Sequence, residues 1–157
     1  MSSGSTATAG RDAQRVSTRD RFVPVVSVAL HARAVPLAVR ERAAFAPGRG
    51  AAAHLAARAA VSEAFVLSTC NRIELYAVAR RGERTATVAA LVGLLAVRSG
   101  LAPDRLRALA DVRVGTDAAR HLCRVAAGLD SVIFGETQIT GQLRRALADA
   151  RADGVLG

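Results

Sequence analysis

Three stretches of the chain bring together residue types that do chemistry. In Ser68-Thr69-Cys70-Asn71-Arg72 a cysteine stands among polar residues, two positions before an arginine. Thiolate is the nucleophilic form of cysteine, and a nearby guanidinium favours it. A free cysteine is also commonly a small buried residue, and the local sequence leaves both readings open. In TDAARHLCRVAAGLDS, Asp117, His121 and Arg124 share one face of a helix, and Leu122, Val125 and Leu129 mark an apolar one. His121 is then either a surface residue in a salt-bridged row or a general acid or base that titrates near neutrality. Cys123, two residues on, reads as core. In GLDSVIFGETQITGQLRRA, Gly128 and Gly135 bracket a short apolar insert, and Gln138 and Gln142 are four apart on one helix face. Glu136 stands at that helix's N-terminus, where the dipole favours a carboxylate. Ser131, Glu136, Thr137, Gln138 and Gln142 are either solvated surface or the lining of a polar pocket.

The elements that position these residues follow from patterning. Residues 22–30, FVPVVSVAL, are apolar and β-branched, a buried strand with Pro24 near its beginning. Residues 36–45 form a short helix opened by Pro36, and 50–60 an alanine-rich one. Residues 62–68 are a second strand. Residues 71–79 alternate Ile73, Leu75, Ala77 and Ala79 against Arg72, Glu74, Tyr76 and Val78, which predicts a half-buried third strand. Thr69-Cys70 alone separates the two, so they form a hairpin. Helices follow over 85–97 and 102–109, then a short strand over 111–114. A helix over 116–127 is capped by Thr116 or Asp117 and ended by Gly128. Residues 129–136 are a loop, and 138–152 the last helix. The order predicts an α+β fold, a ferredoxin-like βαββαβ sandwich with additional C-terminal helices. Residues 1–20 read as a disordered, Ser/Thr/Gly/Arg-rich tail.

Composition narrows the function classes. The net charge of +9 over 157 residues suits a polyanionic partner such as nucleic acid. All 22 basic residues are arginine and alanine is abundant, the pattern GC-rich coding also produces. Aromatic residues make up only 3%, which argues against stacking platforms for single strands. The 2 cysteines form neither a disulfide framework nor a zinc-ribbon spacing, so a reduced, cytoplasmic protein without a metal is expected. No run reaches the length of a membrane span. No G-x-G-x-x-G follows a strand, and no P-loop, H-E-x-x-H or G-x-S-x-G is present.

Taken together, LSTCNRIELY, RHLCRVAAGLDSVIFGETQITGQLRRA and PLAVRERAAF resemble, in order and spacing, the N-terminal catalytic domain of the glutamyl-tRNA reductase family. The likeness covers residues 22–157, and the domain is expected over 21–157. It implies NADPH-dependent reduction of glutamyl-tRNA to glutamate-1-semialdehyde, the first committed step of tetrapyrrole (porphyrin) biosynthesis. The family's nucleophilic cysteine falls on Cys70, which would form a thioester, and its functional histidine on His121. Its substrate contacts fall on Thr69, Asn71, Arg72, Ser131, Glu136, Thr137, Gln138 and Gln142, with Arg72 the natural clamp for the glutamate carboxylate. The family's NADPH-binding and dimerisation domains lie outside these 157 residues, so no cofactor-binding residue is expected within them. Glutamate-1-semialdehyde aminomutase is the partner protein the likeness implies. A truncated, non-catalytic relative that binds tRNA or a partner protein is the competing expectation. The sequence departs from the family at His31-Ala32-Arg33-Ala34-Val35-Pro36, where the family's histidine and threonine fall on Ala32 and Ala34. A one-residue offset places His31 on the other strand face. Thr137 stands where the family has proline.

Overall fold

The computed structural model describes residues 24–130 and 138–157. The expected tail over 1–20 lies outside them, as do Ser131, Glu136 and Thr137. Four strands, β1 (Val25–His31), β2 (Ala64–Ser68), β3 (Arg72–Val78) and β4 (Asp111–Val114), form one antiparallel sheet in the order β2-β3-β1-β4. That order is the ferredoxin-like one: β1 and β2 run the same way with β3 between them. Six helices accompany the sheet: α1 (Leu37–Ala43), α2 (Ala51–Ala59), α3 (Arg84–Ser99), α4 (Pro103–Leu109), α5 (Thr116–Ala126) and α6 (Gln138–Ala152). None is long and apolar enough to cross a membrane.

Strand alternation divides the sheet into two faces of different character. Val26, Val28, Leu30, Ile73, Leu75 and Ala77 point into a core with Leu91, Leu95 and Leu106 of α3 and α4. The opposite face carries Phe65, Leu67 and Tyr76, covered by Val125 of α5 and Ile139, Leu143 and Ala150 of α6. The predicted half-buried β3 is therefore corrected. Arg72, Glu74 and Tyr76 are buried along with Ile73 and Leu75. The alternation is real, but the two C-terminal helices remove its second face from water.

The helix ends follow local chemistry with one correction. Pro103 opens α4 and Asp104 complements the dipole of its first turn. At α5 neither Thr116 nor Asp117 caps the helix. Gly115 is the N-cap, with φ 61° and ψ −132°, a conformation that excludes side chains. Gly128 follows the end of α5 with φ 72°, as expected.

α6 is tied to the start of α2 by one carboxylate. Asp153 accepts the Gly50 N–H at 2.7 Å and the Arg49 Nε–H at 3.3 Å. The Gly50 hydrogen bond, with Arg49 beside it, holds the Asp153 carboxyl below its ordinary value of 3.8. A depressed carboxyl stabilises the fold above its unfolded value and ceases to do so as pH falls through its folded value. Asp153→Asn is accordingly expected to lower the melting temperature at pH 7. The gap from wild type should narrow as pH drops below about 4, the unfolded carboxylate range. Parallel melting curves across the acid range test this. A constant gap would assign the loss to packing instead.

Candidate catalytic site

The β2–β3 hairpin turns through Thr69, Cys70 and Asn71. Thr69 N–H donates to the Arg72 carbonyl at 2.8 Å, and Thr69 Oγ1 accepts from the N–H groups of Asn71 (3.2 Å) and Arg72 (3.1 Å). The threonine is thus a turn-former, its hydroxyl committed to the backbone. Cys70 is exposed at the tip. The turn is anchored from behind: Ala32 N–H donates to the Asn71 carbonyl at 2.9 Å, and the buried Arg40 of α1 donates to the Cys70 carbonyl and to Val35 O. Arg40 was not singled out from the sequence.

Next to the turn the polar face of the sheet gathers a set of ionisable groups. Register places His31 opposite Arg72, and Ala29 between Glu74 and Asp111. The small Ala29 leaves room for the larger neighbours. Glu74, fully buried, is the centre. Its Oε1 accepts from Arg72 Nη1 at 3.0 Å and its Oε2 from the Tyr76 hydroxyl at 2.5 Å. His121 Nε2 lies 3.3 Å from Oε2 and His31 Nδ1 3.9 Å from Oε1. Burial alone would raise the Glu74 carboxyl. The His121 imidazole, the Tyr76 hydroxyl and the Arg72 charge outweigh it and hold the group below the usual carboxylate range. Burial and the adjoining carboxylate push the Tyr76 phenol far up, so it stays a donor. Burial lowers His31, with Glu74 opposing.

His121 is a buried residue, 3% exposed, and not part of a surface row. Asp117 pairs with Arg120 instead, and Arg124 pairs with Asp130 at 2.8 Å. Ala118, His121 and Val125 form the buried stripe of α5. Asp130 holds His121 Nδ1 at 3.1 Å, and Arg72 Nη2 donates to the Asp130 carbonyl. The rings of His31 and His121 meet edge to face at 5.8 Å. His31 is therefore part of the cluster, although its offset had placed it on the other face. Arg72 spends hydrogen bonds on Glu74 and Asp130. Cys123 is exposed, correcting its assignment to the core, because two residues along a helix from His121 is a turn of about 200°.

Gln142 is half-buried on α6 and lines a cleft of about 570 Å³ with Phe45, Pro47, Ser68, Arg145 and Asp149. Ser68 Oγ accepts the Phe45 N–H at 3.1 Å, which fixes the cleft's inner wall. Gln138, one turn earlier, is exposed.

The Arg72–Glu74 pair is inside the protein, so removing one partner strands the other. Glu74→Ala is expected to cost about 3–5 kcal/mol by urea denaturation. A double variant, Arg72→Met with Glu74→Leu, should recover most of that. A loss below about 1 kcal/mol for the single variant, the range of exposed pairs, would contradict a desolvated pair.

Residues 28–157 match the family model described as glutamyl-tRNAGlu reductase, N-terminal domain. A glutamyl-tRNA reductase of Thermus thermophilus is 44% identical over 132 residues, covering 84% of this chain and 30% of its own length. That of Sorangium cellulosum is 39% identical over 151 residues, covering 85% of this chain and 28% of its own. The solved structure of glutamyl-tRNA reductase from Methanopyrus kandleri aligns with a TM-score of 0.68 at 29% identity, over 87% of this chain and 30% of that one. The chain spans about 30% of the length of these relatives. The family match over most of the chain, the identity with these relatives and the ferredoxin-like sheet show that the chain belongs to the glutamyl-tRNA reductase family and corresponds to its N-terminal domain.

Proposed function

We propose that this chain carries the thioester-forming half of glutamyl-tRNA reduction. Cys70 Sγ attacks the ester carbonyl carbon of glutamyl-tRNA. The bond from that carbon to the terminal ribose oxygen breaks, the ribose oxygen takes up a proton, and glutamate remains on sulfur as a thioester. The observation that supports this most directly is an exposed thiol on a turn fixed by Thr69 and Arg40, next to a buried His31–Glu74–His121 cluster. An anchored turn holds a nucleophile in one attack geometry. His121, fixed by Asp130, is the second catalytic residue of this reading. Thr69, Asn71, Arg72, Gln138 and Gln142 are read as substrate contacts, and so are Ser131, Glu136 and Thr137. Arg72 would clamp the side-chain carboxylate with N–H groups not spent on Glu74 and Asp130. The net charge of +9 suits the tRNA phosphates.

In the full reaction a hydride from NADPH releases glutamate-1-semialdehyde. Among the described residues no glycine-rich turn joins a strand to a helix as a dinucleotide pyrophosphate requires. The hydride step is therefore not assigned to any of them. By family likeness the aldehyde passes to glutamate-1-semialdehyde aminomutase, and the setting is cytoplasmic, where both thiols stay reduced.

Intact-mass analysis after incubation with glutamyl-tRNA tests the reading. Wild type and Cys123→Ser should gain one glutamyl group and release tRNA, whereas Cys70→Ser should gain none. His121→Asn should slow adduct formation by about a hundredfold, the penalty of a misplaced reacting group. An adduct that persists in Cys70→Ser, or none in wild type, would sink the proposal.

A further inference from the structure

We propose that His31, Glu74 and His121 form a binding site for a divalent transition-metal ion with the ligand preference of zinc. The ligand atoms of the three side chains lie within 4.8 Å of one another, with Glu74 and His121 buried. The distances from Glu74 to His121 Nε2 and to His31 Nδ1 are 3.3 and 3.9 Å. Ligands about 2.0–2.1 Å from a tetrahedral ion stand about 3.3 Å apart. One pair already has that spacing, and the widest gap closes by about 1.5 Å through His31, which is 21% exposed and on a strand end. Two imidazoles and a carboxylate are the donor set of open, three-ligand zinc sites.

The buried His121 Nε2 points independently to a ligand. It has no hydrogen-bond partner among the described residues. At 3.3 Å from Glu74 Oε2 the distance permits a bond but the direction does not. Asp130 lies 3.1 Å from Nδ1, which leaves Nε2 as the ring nitrogen turned toward Glu74. A buried ring nitrogen without a hydrogen-bond partner, beside a carboxylate, is where a cation would find two ligands.

The outer contacts of both histidines have the arrangement that supports metal ligands. Each imidazole presents one nitrogen to Glu74 and has an aspartate by the other: Asp130 within hydrogen-bond distance of His121 Nδ1, at 3.1 Å, and Asp111 at an ion-pair distance of 3.8 Å from His31 Nε2, its carboxylate also held by Arg113. Such carboxylate–histidine pairs orient a ligand and raise its basicity. Glu74 keeps donor capacity as well. Each of its oxygens accepts one hydrogen bond, from Arg72 and from Tyr76, and retains a second lone pair. The facing charges are three carboxylates, Glu74, Asp111 and Asp130, and three arginines, Arg72, Arg113 and Arg124. Arg113 and Arg124 are 38% and 51% exposed, and solvent screens them from the buried interior.

The test is titration of the whole chain with Co²⁺ and with Zn²⁺, alone and in competition. Cys70→Ser should bind one equivalent of Co²⁺ with the visible d–d bands of a four- or five-coordinate N/O site and no thiolate charge-transfer band, and Zn²⁺ should displace it. His31→Ala, at a partly exposed position that preserves the core, should weaken binding at least about tenfold. So should Asp111→Asn, through the outer contact. Binding unchanged in both variants, or lost in Cys70→Ser, would overturn the site. So would no one-equivalent binding in a chain whose circular dichroism shows it folded. A thioester at Cys70 that forms equally with and without metal leaves the metal site standing, so the two proposals fail separately.

Discussion

A single carboxylate, fully enclosed between the sheet and α5, sets the terms for the rest of this domain. Glu74 is 0% exposed, and an isolated buried anion would be prohibitive. Everything around it follows from meeting that cost. Arg72 supplies a charge-assisted bond, Tyr76 a short hydroxyl bond, and His121 and His31 their imidazoles. Asp130 and Arg124 then steady His121 from outside. Apolar side chains packed in place of such a set often match its stability, so burial energy alone does not call for it. Its place at the base of the cysteine turn is what supports the proposed chemical role.

The route from sheet to chemistry is short. Arg72 is both the first residue of β3 and the residue that closes the turn bearing Cys70, because Thr69 accepts its N–H and donates to its carbonyl. Side-chain pairing below the turn and backbone geometry within it therefore share one residue. Ala32 of the β1–α1 connection and Arg40 of α1 add a second anchor. The thiol is left at the surface while the atoms under it are fixed.

Much of the architecture was legible because it rests on periods and breakers. Alternation marked β3, Pro36 marked the start of α1 and Gly128 the end of α5, and the element order led to the sheet order. The hairpin cysteine was legible as one of two things. What was not legible depended on which elements cover which face. Arg72, Glu74 and Tyr76 read as a solvent face because strand alternation does not say whether helices lie over it. The surface alternative for His121 stayed open for the same reason, although Ala118, His121 and Val125 carry a buried i, i+3, i+7 stripe. That stripe would also have turned Cys123 outward. His31 was set aside because of its offset from the family pattern, yet its pairing with Arg72 brings its ring to His121. Asp111 lies in no motif and Asp130, though inside the GLDS stretch, was not singled out; both join the cluster only through tertiary structure.

In the proposed reaction the buried Glu74 network supports the turn that carries Cys70 and is not merely a packed core. Glu74→Gln isolates that claim, because glutamine keeps the shape and can still accept from Arg72 while losing the charge. Single-turnover transfer of glutamate from glutamyl-tRNA to Cys70, followed by intact mass in chains shown by circular dichroism to be folded, is the direct measurement. The account predicts a fall in rate of roughly a hundredfold, the penalty of a misplaced reacting group. Transfer at the wild-type rate in a folded Glu74→Gln chain would contradict it.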